Sequence, residues 1–352
     1  MKKLGQKQIN RLDRINRKRI RRHAKRLLKR RKRLNSPRLP APNRLGELKV
    51  VAPEVFSLSD NYEGVVGCIL DIQKIALGRH KKGIRKIVDF SSIKKLEPAA
   101  ALILSAEIDR WRRTTGFKPV PHDLANWDTE IFLQFHELGL FNLLYGMEVT
   151  AQESPIVQWI PFKHGKGDAG APADQFLSDL TQLAGEIPER MIFYEALAEA
   201  LLNVKNHAYI SDVATDYACA PVKFGWWIAG AFDRQSNELT GLVFDQGLGI
   251  PATLPRSPYW ETIRGQISND DAKLIEAAIE VSRTRTSLPN RGKGLAQILS
   301  VIDEVGNGML RVISGRGEIR YDSKGLTRVT HNKSLGGTLI EWKIPCPTIG
   351  NI

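Results

Sequence analysis

Cysteine is scarce in this chain: Cys68, Cys219 and Cys346 are the only three in 352 residues, far apart and never in a CxxC pair. That argues against a disulfide framework or a zinc site and fits a reducing, cytoplasmic setting. No uninterrupted apolar run approaches a membrane span, and the N-terminus lacks the apolar core of a secretory signal. Acidic residues are nearly absent from one end. Residues 1–38 hold 18 Lys and Arg against one acid, Asp13, a charge of +17; the whole chain carries +14, so the remaining body is nearly neutral at −3. The same stretch has no aromatic residue to stack on a base and too few aliphatics to fold alone.

The first 38 residues therefore read as a disordered or partly helical tail held extended by self-repulsion. A polyanion would order it through counterion release, giving salt-sensitive, sequence-blind binding. Nucleic acid is favoured over an anionic membrane, because the apolar face is thin for an interfacial helix. A solvated tail without a specific partner stays open, and an organelle presequence fits less well because Ser is nearly absent. The Pro-rich stretch SPRLPAP (36–42) is a stiff spacer, so residues 1–47 are tail and linker.

Residues 48–150 alternate strand and helix signals, which implies a small layered α/β domain. IRKIVDF (84–90) reads as a buried strand, and Pro98 opens an apolar-periodic helix to about Arg113. Residues 118–120 suggest a further strand and 128–138 a further helix. Residues 151–172, rich in Gly, Pro and Ala, read as a linker with a possible short strand, and 173–352 as a second domain.

The second domain centres on YEALAEALLNVKNHAY (194–209). At helical spacing Phe193, Leu197, Leu201, Val204 and Ala208 form an apolar stripe, and Glu195, Glu199, Asn203 and His207 line the opposite face. A carboxamide oxygen at Asn203 suits a hard cation that bridges phosphates, and Glu199 one turn earlier suits a group that orients or deprotonates a nucleophile. A plain solvated helix face explains the same pattern. Next, 223–232 and 238–244 read as two strands around a turn at 235–237. The second runs into DQGLGI, where Asp245 could accept a hydrogen bond from an exocyclic amine, and Gly247 and Gly249 permit close approach to a flat ligand. After a helix near 271–282, Arg291, Gly292, Lys293, Gly294 and Leu295 (RGKGL) open the amphipathic helix GLAQILSVIDEV. Glycines and cations before a helix N-terminus suit a phosphate, although the glycine spacing is that of neither a P-loop nor a dinucleotide fingerprint. Strands follow at 309–314, 319–321 and 338–344, the last preceded by Gly336-Gly337 and beginning at Thr338.

Two resemblances follow from these motifs. VDFSSIKKLEPAAALILSAEIDRWRR with HELGLFNLL, about 80 residues, resembles the STAS domains of anti-anti-sigma factors. Phosphoswitch members present a Ser or Thr where this chain has Ala99, so the resemblance implies a docking or dimerisation module rather than a phosphorylated one. The ordered series EALLNVKNHAY, DQGLGI, RGKGL and GGT, across about 173–345, resembles the GHKL or Bergerat-fold ATPases. It implies an α/β sandwich with helices on one face of a mixed sheet, binding ATP and Mg²⁺. Carried over, Glu199 is the catalytic acid and Asn203 the Mg²⁺ ligand. Asp245 reads adenine, Gly247 and Gly249 line the base and ribose, Arg291 to Leu295 cover the phosphates, and Thr338 completes the pocket. His207 packs beside the nucleotide. Asn206, where histidine kinases commonly have Lys, and the retained Glu199 favour ATP hydrolysis or serine phosphorylation over histidine phosphorylation. The expected function is an ATP-binding regulator whose nucleotide switches binding of a protein partner, which could be a STAS-like protein or a second copy of itself. The alternative is a non-catalytic, ATP-gated nucleic-acid-binding module using residues 1–38.

Overall fold

The structure is a computed structural model that describes residues 46–78, 84–145, 153–167, 169–209, 225–256, 260, 270–284 and 294–347. The basic tail lies outside the described residues. Among those described, no helix is long and apolar enough to cross a membrane.

The N-terminal unit begins with β1 (Glu47–Val51), which pairs in parallel with β3 (Arg85–Asp89); β3 pairs in parallel with β5 (Val120–Pro121). A second two-stranded piece joins β2 (Val55–Phe56) to β4 (Lys95–Leu96). Parallel neighbours need crossovers, and helices α1 (Leu58–Leu77) and α2 (Pro98–Thr115) supply them. α3 (Thr129–Leu138) closes the unit, with Asp128 accepting from the Glu130 and Ile131 amides as its N-cap. The start of α2 follows from its sequence, since Pro98 stands in its first turn, and Gly116 in the left-handed region ends it. α1 is not among the helices expected from the sequence, although Tyr62, Val65, Val66, Ile69, Ile72 and Ala76 recur at helical spacing; Asn61 breaks the backbone in its first turn, and Asn61 Oδ1 accepts from the Gly64 amide where the helix resumes.

The second unit is a seven-stranded sheet. Its members are β6 (Val157–Lys166), β7 (Gly225–Asp233), β8 (Glu238–Asp245), β9 (Met309–Ser314), β10 (Gly317–Asp322), β11 (Gly325–Thr330) and β12 (Thr338–Pro345), in the order β11-β10-β9-β12-β8-β7-β6. Every pairing is antiparallel, which corrects the expected mixed sheet. The physical reason is the connections: β7–β8, β9–β10 and β10–β11 are joined by short turns, and β12 inserts between β8 and β9. Residues 157–166, inside the stretch read as a linker, are edge strand β6 of this sheet.

One face, called the front below, is packed by α4 (Gly170–Ala184), α5 (Arg190–Asn203) and α8 (Gly294–Val305). Phe193, Leu197 and Leu201 of α5 are at most 1% exposed there, each contributing about 1.5–3 kcal/mol of burial. The back face is covered as well, which the sequence did not suggest. Trp227, Ala229, Leu242, Phe244, Ile313 and Leu339 of the sheet share one apolar core with α1, α2 and the strands of the N-terminal unit. The molecule is thus layered, with the sheet between a helical front and a second α/β unit behind it. α2 is the central piece: every residue from Ala99 to Trp111 is buried, including Glu107, Asp109 and Arg110.

Candidate functional site

Strand register brings the predicted residues together. Opposed residues on neighbouring strands point to the same face. Trp226 opposes Asp245, Asp245 opposes Thr338, and Thr338 opposes Ser314. These four form one row at the end of the sheet. Val243, two residues before Asp245, belongs to the front core, so the row faces the same side as α5.

The end of α5 abuts the same place. After Asn203 the chain widens into a π-helical turn over Val204–Ala208, a local feature frequent at functional sites. Ala208 accepts a hydrogen bond from the Leu248 amide (2.8 Å), and a Cβ on Gly247 would stand 2.3 Å from the Ala208 carbonyl oxygen. Only glycine allows that approach. Gly249 turns the chain with φ +83°, and the following Ile250 amide donates to Ser314 Oγ (2.8 Å). Ser314 also hydrogen-bonds Thr338 (3.0 Å) and the Gly337 carbonyl (3.0 Å). Tyr209 closes the group: its hydroxyl donates to the Gly225 carbonyl and accepts from the Gln246 amide. Trp226, Tyr209, Gln246 and Ser314 are residues that sequence reasoning passed over. Their only signal is register or adjacency, which a linear motif does not carry.

The electrostatics are those of a buried polar row. Burial raises the Asp245 carboxyl to about 7, against hydrogen bonds from Gly247 and Thr338 that favour the ionised form. The Gly247 amide bond to Oδ1 is 2.7 Å. Burial likewise raises Glu199, half-buried on α5, with the Asn203 side chain opposing the shift. Asn203 Nδ2 nevertheless makes no well-formed hydrogen bond, and neither does Trp226 Nε1; both atoms are buried. Glu195 on the same helix face is tied to α8, accepting from Gln297 Nε2 (2.6 Å), and His207 is exposed on the π-turn.

Arg291, Gly292 and Lys293 lie outside the described residues. Gly294 and Leu295 begin α8, whose Ala296 amide donates to Ser282 Oγ on α7 (Asp271–Thr284), so one amide of that helix start already has a protein partner. Gly308, just beyond the other end of α8, stands against the Lys343 carbonyl, and Trp342 Nε1 donates to the Ile298 carbonyl (3.0 Å), so α8 lies across β12. Two surface hollows, of about 240 and 360 Å³, lie elsewhere. One is lined by Asp303 and Tyr321, the other by Ser59, Tyr62, Arg320 and His331, and neither includes a predicted site residue. Among the described residues no group of three or more His, Cys, Asp or Glu could hold a metal ion. No protein-family model matches the chain, and no curated protein sequence matches it.

Proposed function

We propose that the protein binds ATP with Mg²⁺ at the Asn203–Asp245–Thr338 end of the sheet and uses it, by slow hydrolysis or phosphoryl transfer to a serine, to switch a protein interaction. One observation carries this reading. A helix bearing Glu199 and Asn203 ends against the strand terminus bearing Asp245, where the row of Trp226, Asp245, Thr338 and Ser314 holds a buried carboxylate and a buried donor, Trp226 Nε1, that has no hydrogen-bond partner. Buried polar atoms in a protein are normally paired, so an unpaired donor in the same row as a buried carboxylate suits a ligand that carries both acceptors and donors.

In the proposed complex Asp245 accepts from the exocyclic amine of adenine, which a guanine carbonyl at that position could not supply. Gly247 and Gly249 keep the turn beside it free of side chains. Asn203 is the residue that would hold Mg²⁺, which when bound neutralises phosphate charge. Glu199, made more basic by burial, orients and deprotonates the attacking water or hydroxyl. The test is incubation of parent and Glu199→Ala proteins with ATP labelled at the γ-phosphate, reading free phosphate and protein-bound label alongside ATP affinity. The expected result is unchanged affinity with turnover lower by about 10²-fold or more. Equal turnover in the two proteins removes Glu199 from catalysis.

A further inference from the structure

We propose that Glu107 of the N-terminal unit is a positioning residue for the nucleotide site, acting through Gln246. The inference rests on the ATP reading above and extends it to regulation of the same site. Glu107 is 2% exposed, in the layer between α2 and the back of the sheet. Its carboxylate forms an ion pair with Arg110 and accepts from Trp111 Nε1 and from Gln246 Nε2, the last at 3.1 Å across the interface between the units.

Gln246 directly follows Asp245, and both of its ends are held. Its side chain is held by Glu107 behind the sheet, and its amide by the Tyr209 hydroxyl in front. The next amide, Gly247, donates to Asp245 Oδ1 (2.7 Å). The peptide carrying Gln246 therefore fixes how the Asp245 carboxylate is presented, and Glu107 fixes that peptide. A second tie runs beside it: Trp227 Nε1 donates to Asp109 Oδ2 (3.0 Å) on the back of β7, while Trp226, its chain neighbour, opposes Asp245 on the front. A buried ion pair is a weak device for stability alone, because apolar side chains of the same volume serve as well. It is a good device for fixing geometry. Coupling free energy is reciprocal, so a nucleotide that prefers the held geometry also tightens the docking of the N-terminal unit.

The experiment uses the full chain and a non-hydrolysable ATP analogue with Mg²⁺. Affinity by calorimetry and thermal melting are measured for the parent, Glu107→Gln, Gln246→Met, the double variant and Asp245→Asn. Each single change at 107 or 246 is expected to weaken binding by about fivefold or more, and the double variant to be no weaker than the worse single one, because both cut one link. Melting points that fall while affinity stays at the parent value would assign these residues a structural role only and overturn the proposal. Singles whose losses multiply in the double variant overturn it too. If Glu107→Gln does not fold, Gln246→Met decides the matter alone. A parent that binds no analogue, or an Asp245→Asn variant that binds as tightly as the parent, instead overturns the nucleotide reading on which the proposal rests.

Discussion

Front and back of the seven-stranded sheet treat buried polar groups differently. On the back, Arg311 is fully buried and bonds Glu341 and Glu97 (2.6 Å each) and Ser59 Oγ (2.8 Å). Glu318, equally buried, pairs with Arg320 and with His331 (2.8 Å), and His331 stacks on Tyr62. Burial acts against ionisation of Glu97 and Glu318, yet Arg311 and the other partners hold both below their ordinary values. Only Glu341, which keeps Oε1 without a partner, is raised, by burial. On the front, Asp245 is raised by burial against hydrogen bonds from Gly247 and Thr338, no cation among the described residues acts on it, and the Trp226 donor is unmatched. Trp226 and Trp227 make the contrast between successive residues: one indole N–H is an orphan, the other bonds Asp109. The contrast is therefore one of charge: the buried carboxylates on the back are paired with Arg311, Arg320 or His331, although Trp159 Nε1, His164 Nε2 and Gln246 Oε1 there make no hydrogen bond, whereas the front carboxylate Asp245 is held by neutral donors.

The sharpest way to break this contrast is Arg311→Ala, which strands Glu341 and Glu97 in the layer between the units. A loss of about 3–5 kcal/mol is expected in denaturant unfolding, since removing one partner leaves buried charge uncompensated. A loss under about 1 kcal/mol would mean the back network is dispensable.

Asp245→Asn tests the front. Asp245 has a native value of about 7 against an ordinary 3.8. The native state therefore holds the proton more tightly, and this residue's contribution to stability falls as pH rises from about 4 to about 7. The variant lacks that titration and is expected to be more stable than the parent at pH 8, by on the order of 4 kcal/mol at most, with the difference vanishing near pH 4. Thermal melts of both proteins across this range provide the check. The same variant loses the analogue, so the site exchanges stability for binding.

The smallest effects separate the two tryptophans. Both Trp→Phe changes leave a cavity in a core, so the difference is the readout: Trp227→Phe also removes a hydrogen bond to a buried carboxylate and is expected to cost about 1.5 kcal/mol more than Trp226→Phe. Equal losses in urea unfolding would put both indoles in the same category and remove the distinction between the faces.

Much of the chain was legible from local pattern. Pro98, the apolar period and Gly116 mark α2; GLAQILSVIDEV is α8 residue for residue; and the stripe Phe193, Leu197, Leu201, Val204, Ala208 is buried as its spacing implied. What escaped did so for physical reasons. α1 escaped although Tyr62, Val65, Val66, Ile69, Ile72 and Ala76 recur at helical spacing, because the stretch is apolar and rich in β-branched residues and has no proline at its start. β11 is a largely exposed edge strand with no apolar alternation to betray it. Glu107, Asp109 and Arg110 are at most 2% exposed, and nothing local marks three charged residues of one helix for burial.

By itself the sequence determined most of the helices and strands, the order of the four boxes and the concentration of net positive charge in the first 38 residues, because period, caps and charge are local properties of a chain. Tertiary structure alone decided that the sheet is antiparallel throughout, that Ser314 and Trp226 flank the Thr338–Asp245 pair, and that the N-terminal unit lies against the back of the same strands. Those outcomes depend on which distant segments pair and in what register, and on charged residues finding partners more than 100 positions away; no local pattern encodes either.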